Sequence, residues 1–493
     1  MRTLLLSGAL LLASCGPPSA QPDAGATQAA LVPVNMNGHD KVDLLFLIDN
    51  SNSMESMQTI LQDSFYEFFQ PFEDLQKKQM FVDFHIGVVT SDYGSGATGA
   101  PGCDQSPGGQ QGILQAVGVK AARDCKAPVG ARFIQYGTRP GAPNNLPPGQ
   151  DLADTFTCMA SNGANGCGFE HQLESVRAAL LNTSENAGFL RPDAALAVAF
   201  LTNEDDASAP PDTDVFDKRE TMKYGYEDSY SRQTRFAVIC CPPGKASCTD
   251  AELTFPPYDN SQGPLAGCRP APNPPGQQYE VKRYIDFFTL PAAKGGIKAD
   301  PNDVILYAID APESPFQVIF SNPGTPAGQA YAECPALNES ANPPCVPVLQ
   351  HSCHNPTRPE LFGDPAVRLN TVVRAAPTHR IWSICEEDYS VAIRQLALMV
   401  ASQLGTGCLT DAIFTAARPD DIDCKVSDVK EDPDRETVTD LLRCTGNNVP
   451  CWRVENKDVC SGISQQGIGL TIDRGGMPMA ADTHVRAGCT ARR

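Results

Sequence analysis

Beyond its first fifteen residues, this chain of 493 has no apolar run long enough to cross a bilayer, so no transmembrane span is expected. Positive charge is scarce: 38 Lys and Arg stand against 58 Asp and Glu, a formal net charge of −20. Without a basic surplus to neutralise phosphates, a nucleic-acid partner is excluded. Such acidity suits a soluble domain that meets basic surfaces or cations, and it serves equally as a solubility device. The familiar catalytic signatures are missing too. No G-x-S-x-G, H-E-x-x-H or Cys–His arrangement stands in a fitting context, and Ser51 and Ser53 have no His nearby in sequence to act as a base. Gly-rich pieces such as Gly94-Ser95-Gly96 lack the strand–loop–helix setting of a phosphate loop.

Cysteine, by contrast, is plentiful, with 19 residues. A cytosolic enzyme rarely holds so many thiols, whereas an exported protein in an oxidising compartment pairs them. The amino end agrees: Arg2, then an apolar stretch from Leu4 to Leu12, has the size of a signal-peptide core. Leu12-Ala13-Ser14-Cys15 resembles the bacterial lipobox. That resemblance implies a signal peptide over 1–14, lipidation of Cys15, and a membrane anchor to which each buried methylene contributes about 0.8 kcal/mol. The alternative is an ordinary secreted protein with a chance Cys. Gly16 stands where many Gram-negative inner-membrane lipoproteins carry Asp, which by analogy favours the outer membrane. Residues 15–40 then read as lipidated Cys and flexible tether, rich in Pro, Ala, Gly and Gln. With Cys15 set aside, 19 − 1 = 18 cysteines remain to pair. Cys158 and Cys167 bracket a short Gly/Asn-rich loop and are expected to form a local bridge. A zinc site at His351-Ser352-Cys353-His354 is the competing use, without a C-x₂-C pair to support it.

Along the chain, short apolar runs alternate with helical periodicity. Leu44–Ile48, Phe81–Thr90, Leu196–Leu201, Val304–Ile309 and Ile381–Ile384 read as buried strands, with His85 a packed side chain inside the second. Helices are expected after Met54 (Met57, Ile60, Leu61, Phe65, Phe68 inward), from Gly168 (Phe169, Leu173, Val176, Leu180), over Tyr279–Phe288, and from an Asp388 or Ser390 cap (Ile393, Leu396, Val400, Leu404). The order predicts an α/β fold, a doubly wound, mostly parallel sheet covered on both faces. It occupies 41–404 and carries disulfide-braced insertions at about 92–166, 207–276 and 311–365. Residues 405–493, with six cysteines and little helical periodicity outside Arg435 to Leu442, read as a small Cys-rich, β-rich extension.

The first apolar strand runs directly into Asp49-Asn50-Ser51-Asn52-Ser53. One carboxylate and two hydroxyls at alternate positions, at the carboxyl end of a buried parallel strand, can converge on a hard divalent cation. The simpler reading is that Ser51 and Ser53 cap the helix after them. This D-x-S-x-S run resembles the metal-ion-dependent adhesion site of von Willebrand factor A domains. The resemblance covers roughly 41–404 and implies a Mg²⁺-type ion that keeps a coordination position open for a partner's carboxylate. In that family a second loop supplies Thr before a helix; here Glu170 stands in its place, or serves as an acid in the first helical turn. A third loop supplies Asp after an apolar strand and a Thr; here it is Asn203, a weaker neutral ligand, followed at once by Glu204, Asp205 and Asp206. The expected metal set is therefore Asp49, Ser51, Ser53, Glu170, Asn203, Asp205 and Asp206, holding Mg²⁺ first, with Ca²⁺ or Mn²⁺ as alternatives.

Together these features imply a bacterial lipoprotein acting as an extracytoplasmic binding or adhesion module rather than an enzyme. Its partner would be a protein offering a carboxylate, and its only membrane contact the lipid anchor. Two alternatives stay open. One is a metal-dependent hydrolase using the Asp205–Asp206 pair. The other is a structural envelope lipoprotein whose degenerate site holds no metal.

Overall fold

The computed structural model describes residues 31–491 apart from 35, 37, 96–107, 212, 217–235, 257–262, 322–337, 339–344, 411–413, 415–416, 433–434, 447, 462, 465, 478 and 480–482. The expected signal peptide, Cys15 and most of the expected tether lie outside the described residues.

A short strand β1 (Val32–Pro33) precedes β2 (Lys41–Ile48), β3 (Asp83–Thr90), β4 (Ile134–Gly137), β5 (Ala195–Leu201), β6 (Val304–Asp310) and β7 (Thr378–Ser383). The six strands from β2 onward form one sheet in the order β7-β6-β5-β2-β3-β4. All its pairings are parallel except that of the edge strand β4 with β3. Counted from β2, this is the 3-2-1-4-5-6 order of doubly wound sheets, with the topological switch point between β2 and β5.

Side-chain alternation along β2 explains both covered faces. Leu44, Phe46 and Ile48 face one layer, made by α1 (Glu55–Ser64), α2 (Gln70–Lys77), α3 (Leu152–Ala160) and a late helix over Ser390–Ser402. Leu45 and Leu47 face the other layer, made by α4 (Gln172–Leu181), α5 (Lys282–Thr289) and α6 (Val367–Ala375); the helix over Ser390–Ser402 is α7. A strand buried on both sides has no polar face to show, which is why its sequence is a continuous apolar run.

Three elements depart from the sequence reading. The first insertion is not loop throughout: it contributes β4 and α3, the latter opened by Asp151, whose side chain accepts from Asp154 N at 2.8 Å. Helix α6 has no counterpart among the expected helices, because Val367, Thr371, Val372 and Val373 give it a β-like composition that burial against β6 and β7 overrides. Arg435 to Leu442, read for its helical spacing, lies within the strand Arg435–Arg443, where Val438 pairs with Val429 and Leu441 with Val426.

That strand belongs to a second sheet. Its members are β8 (Ile422–Asp432), β9 (Arg435–Arg443), β10 (Cys451–Asn456), β11 (Ile468–Asp473), β12 (Thr483–Ala491) and β1, in the order β1-β12-β8-β9-β10-β11. Ile422, Val426, Trp452, Leu470 and Val485 make its core. Three disulfides close the six cysteines of this region on themselves: Cys408–Cys460, Cys424–Cys489 and Cys444–Cys451. Elsewhere Cys240–Cys268 and Cys241–Cys248 brace the second insertion, and Cys353–Cys385 ties the third to the end of β7. The expected Cys158–Cys167 bridge is wrong. Cys158 pairs with Cys125, since α3 carries it to the Cys125 side of the insertion, and Cys167 is bonded to a different cysteine. Seven disulfides among the described residues belong to a protein matured in an oxidising compartment. No described helix is long and apolar enough to cross a membrane.

The amino ends of the strands are locked by a buried ion cluster. Asp43 is fully buried in β2, and Arg191 meets it twice, from its backbone N at 2.6 Å and its Nε at 2.7 Å. Removing the Arg191 side chain leaves Asp43 with Lys298, 3.9 Å away, as its remaining buried lysine or arginine partner among the described residues. Arg191→Met is therefore expected to lower unfolding free energy by about 3–5 kcal/mol, read from denaturant midpoints with the disulfides intact. Arg132→Met, which frees only the exposed Glu185, should cost less than about 1 kcal/mol. Equal effects would refute this account.

Candidate metal centre

Strands β2 and β5 lie side by side at the switch point, and their carboxyl ends continue in register: Asp49 N donates to Leu201 O at 2.9 Å. The Asp49 side chain is fully buried there. Its Oδ1 accepts from Ser51 N and from Ser91 Oγ, each at 2.8 Å, and its Oδ2 accepts from Thr202 Oγ1 at 2.7 Å. These donors come from three separate strand ends, those of β2, β3 and β5. A carboxylate offers about four lone-pair positions, so one remains on Oδ2. Burial raises the pKa of Asp49, and the three donors oppose that rise. From α1, Gln58 Nε2 fixes the turn by donating to Asp49 O at 2.7 Å and to Gly163 O at 2.8 Å.

The second loop is sewn to the first. Gly166 N donates to Asn50 O at 2.8 Å, and a Cβ on Gly166 would stand 2.4 Å from Asn50 Oδ1, so only glycine allows this approach. His171 N donates to Ser91 O at 2.9 Å, and Ala207 N to Glu170 O at 2.7 Å. Phe169, Val215, Phe216 and Phe236 pack together, which seats the second insertion on this loop. Glu170 is buried, and its side chain is hydrogen-bonded to Glu204. Burial first, and then the charges of Glu170, Asp364 and Asp49, hold the Glu204 carboxyl well above the usual carboxylate range.

The third loop closes the ring. Ser53 Oγ donates to Asn203 Oδ1 at 2.9 Å and lies 3.4 Å from Ser51 Oγ. Asn203 Nδ2 is buried without a hydrogen-bond partner among the described residues. Asp364 N, from the end of the third insertion, donates to Asn203 O at 2.8 Å. Of the expected set, the structure thus gathers Asp49, Ser51, Ser53, Glu170 and Asn203. The simpler readings do not hold: α1 is capped at Met54 with no side-chain bond, and Glu170 precedes α4 rather than lying in its first turn.

Asp205 and Asp206 are a correction. Both oxygens of Asp205 accept from Arg368 N, at 3.0 and 2.9 Å, and Oδ1 also accepts from Leu369 N at 3.0 Å, at the start of α6. Asp206 accepts from Leu173 N at 3.0 Å and Ser208 Oγ at 2.6 Å, and pairs with the fully buried Arg368 at 3.1 Å. Free N–H groups at two helix starts claim these acids, a demand invisible without α6. Thr202, Ser91, Glu204 and Asp364 stand against the gathered loops instead. Glu204 was legible as part of the acidic run after β5, whereas Ser91 and Asp364 had only their places at segment ends. The zinc alternative also fails, because Cys353 is in a disulfide and His351 Nδ1 is 2.7 Å from Asp364 Oδ1.

Among the described residues no three His, Cys, Asp or Glu side chains close on one point as a ready cage. The donors at the switch point are mixed: carboxylates joined by hydroxyls and an amide oxygen, all hard oxygen ligands of the kind Mg²⁺ and Ca²⁺ take. The leading charges acting on Glu204 are all acidic, those of Glu170, Asp364 and Asp49. A divalent cation fits this surplus of negative charge.

The buried acids set a pH dependence whose sign can be worked out. Asp205 is pushed up from 3.8 to about 6, first by burial, with the amides of Arg368 and Leu369 opposing. Asp49, Glu204 and Asp206 shift the same way. Folded pKa values above the unfolded ones mean that these groups favour folding below the unfolded values, near pH 4. That contribution is lost as pH rises through the folded values, about 6 for Asp205. In EDTA the denaturation midpoint should fall between about pH 5 and 7.5, and millimolar Mg²⁺ or Ca²⁺ should shrink the fall. A flat profile in EDTA would contradict it.

No family model matches the chain, and no curated protein matches it. Among solved structures it is similar to a von Willebrand factor type A protein from Catenulispora acidiphila at 9% identity and a TM-score of 0.27, covering 94% of this chain and 62% of that one. The pilus adhesin SpaC from Lactobacillus rhamnosus GG aligns at 9% identity and a TM-score of 0.27, over 93% of this chain and 40% of that one. The adhesive tip pilin GBS104 from Group B Streptococcus agalactiae aligns at 9% identity and a TM-score of 0.26, over 94% and 80%. The chain thus spans less than two thirds of the first two structures. Overlaps of this extent say nothing of the site, which rests on its own geometry.

Proposed function

We propose that this chain is an extracytoplasmic binding module of the adhesion type, whose Asp49 site holds a divalent cation and offers it to a protein partner's carboxylate. The observation that carries the reading is the closure of strand-end loops at the switch point, through Asp49–Thr202 at 2.7 Å and Ser53–Asn203 at 2.9 Å, beside Glu170 and Glu204. Ser51 and Ser53 would bind the ion directly, Asp49 and Thr202 directly or through water, and Glu170 with Glu204 would supply charge. Mg²⁺ is the first expectation, with Mn²⁺ possible; the extra acid leans toward Ca²⁺, whose shell is larger and looser. The partly exposed Ser53 and Glu204 mark where a partner would enter, and the braced insertions around them would select it. Lipidation at Cys15 would tether the module to the membrane, the outer membrane by analogy. The role is binding, not catalysis.

A second reading has its own support. The Ser53–Asn203 hydrogen bond engages Ser53 Oγ and Asn203 Oδ1 without an ion, as in a structural envelope protein with a metal-free site. Calorimetry with Mg²⁺, Mn²⁺ and Ca²⁺ separates the two. The binding module predicts heat that Asp49→Asn abolishes while circular dichroism stays unchanged. It also predicts that Asn203→Asp tightens binding by about tenfold, because it adds a charged ligand. No heat with any of the three ions would leave the metal-free protein standing.

A further inference from the structure

At the end of the first sheet opposite the Asp49 centre, a hollow of about 300 Å³ opens between the amino end of β7, the last turns of α7 and the second sheet. Protein interiors are packed as densely as organic crystals and hold few voids larger than a water. This hollow is roughly ten times the 30 Å³ or so that a water occupies in the liquid. Its walls are the facing edges of two cores. Leu398 and Met399 of α7 belong to the first, and Leu409, Phe414 and Val485 to the second. A further hollow of about 250 Å³ adjoins it, with Leu31, Asn302, Arg486 and Ala487 common to both. The two make one trough that reaches the surface at the exposed Leu31, His379 and Arg486.

The charge of this trough runs against that of the chain. Over the whole sequence Asp and Glu outnumber Lys and Arg by 58 to 38. Among the described residues that line either hollow there is no Asp or Glu, whereas Arg380, Arg486, Lys425 and His379 are all present. Glu436, which does not line the trough, holds the Arg486 guanidinium at 2.6 Å and so fixes it at the rim. Apolar walls of this size call for hydrocarbon, and a rim of one sign calls for a single opposite charge. The planar fork of an arginine matches a carboxylate with two parallel hydrogen bonds.

We propose that the trough binds a single-chain amphiphile with a carboxylate head, of the fatty-acid class. The hydrocarbon lies between α7 and the second sheet, and the head meets Arg380 and Arg486. The occupant touches β7 and α7 on one side and β8 and β12 on the other, so it cements the second sheet to the first. This site is remote from the Asp49 centre and owes nothing to a metal.

The test uses the full, disulfide-bonded chain in EDTA, so that no cation at the Asp49 centre takes up the carboxylate. In calorimetric titration, dodecanoate should bind at about one molecule per chain, and dodecyltrimethylammonium, of equal chain length and opposite charge, about tenfold more weakly or worse. Arg380→Gln combined with Arg486→Gln should weaken dodecanoate by about tenfold or more. Arg132→Gln, at an arginine that lines neither hollow, should leave it unchanged. Should the double variant fold poorly, Ser402→Phe serves instead: Ser402 lines the larger hollow, and a phenyl ring there should block binding while circular dichroism stays unchanged. The proposal is overturned if dodecanoate does not bind, or if both amphiphiles bind equally, which marks plain apolar adsorption. It is also overturned if neither the arginine pair nor Ser402→Phe alters the affinity. Binding that needs added Mg²⁺ or Ca²⁺ and vanishes with Asp49→Asn overturns it too, and supports the Asp49 centre instead.

Discussion

A carboxylate buried at the end of a parallel strand, with no ion-pair partner among the described residues, is the constraint around which the upper edge of this sheet is organised. Burying such a group unsatisfied costs several kcal/mol, so Asp49 must recruit donors. It finds them on three strand ends, Ser51 N after β2, Ser91 Oγ after β3 and Thr202 Oγ1 after β5. Meeting that demand fixes the mutual positions of three loops. The doubly wound order supplies the opening in which they meet, because β2 and β5 are neighbours whose connections leave in opposite directions.

The acidic turn after β5 shows how adjacent residues of like charge are kept apart. Glu204 turns toward Glu170 and the Asp49 loops. Asp205 caps the start of α6, and Asp206 serves the start of α4 while holding Arg368. Three successive carboxylates thus turn to three different structures. Helix starts, with their unpaired N–H groups, compete with a metal for acidic side chains and win wherever the geometry brings them within hydrogen-bond range.

Much of this was legible in the sequence because it rests on local pattern. The apolar runs at Leu44–Ile48, Leu196–Leu201 and Val304–Ile309 could only be strands covered on both faces, and alternating helices required a parallel sheet. Asp49, Ser51 and Ser53 were visible because they share one short segment. What stayed hidden depends on non-local partners. Helix α6 carries a strand-like composition, so the amides that claim Asp205 could not be foreseen. Asp364 and Ser91 enter through contacts far along the chain. The Cys125–Cys158 pairing depends on α3, which the Gly- and Pro-rich surroundings concealed.

Strand β1 has a mechanical consequence. Val32 and Pro33 are paired with Cys489 and Gly488 on β12, and Cys489 is stapled across to Cys424 on β8. The chain then passes to the amino end of β2, whose eight residues separate it from Asp49 by about 26 Å. A pull arriving from upstream of Val32 meets the cross-linked second sheet first and peels β1 from it before any strain enters β2. The loops at the far end of β2 would keep their shape under loads that already open the β1–β12 pairing, so they are insulated from traction on the chain upstream of Val32.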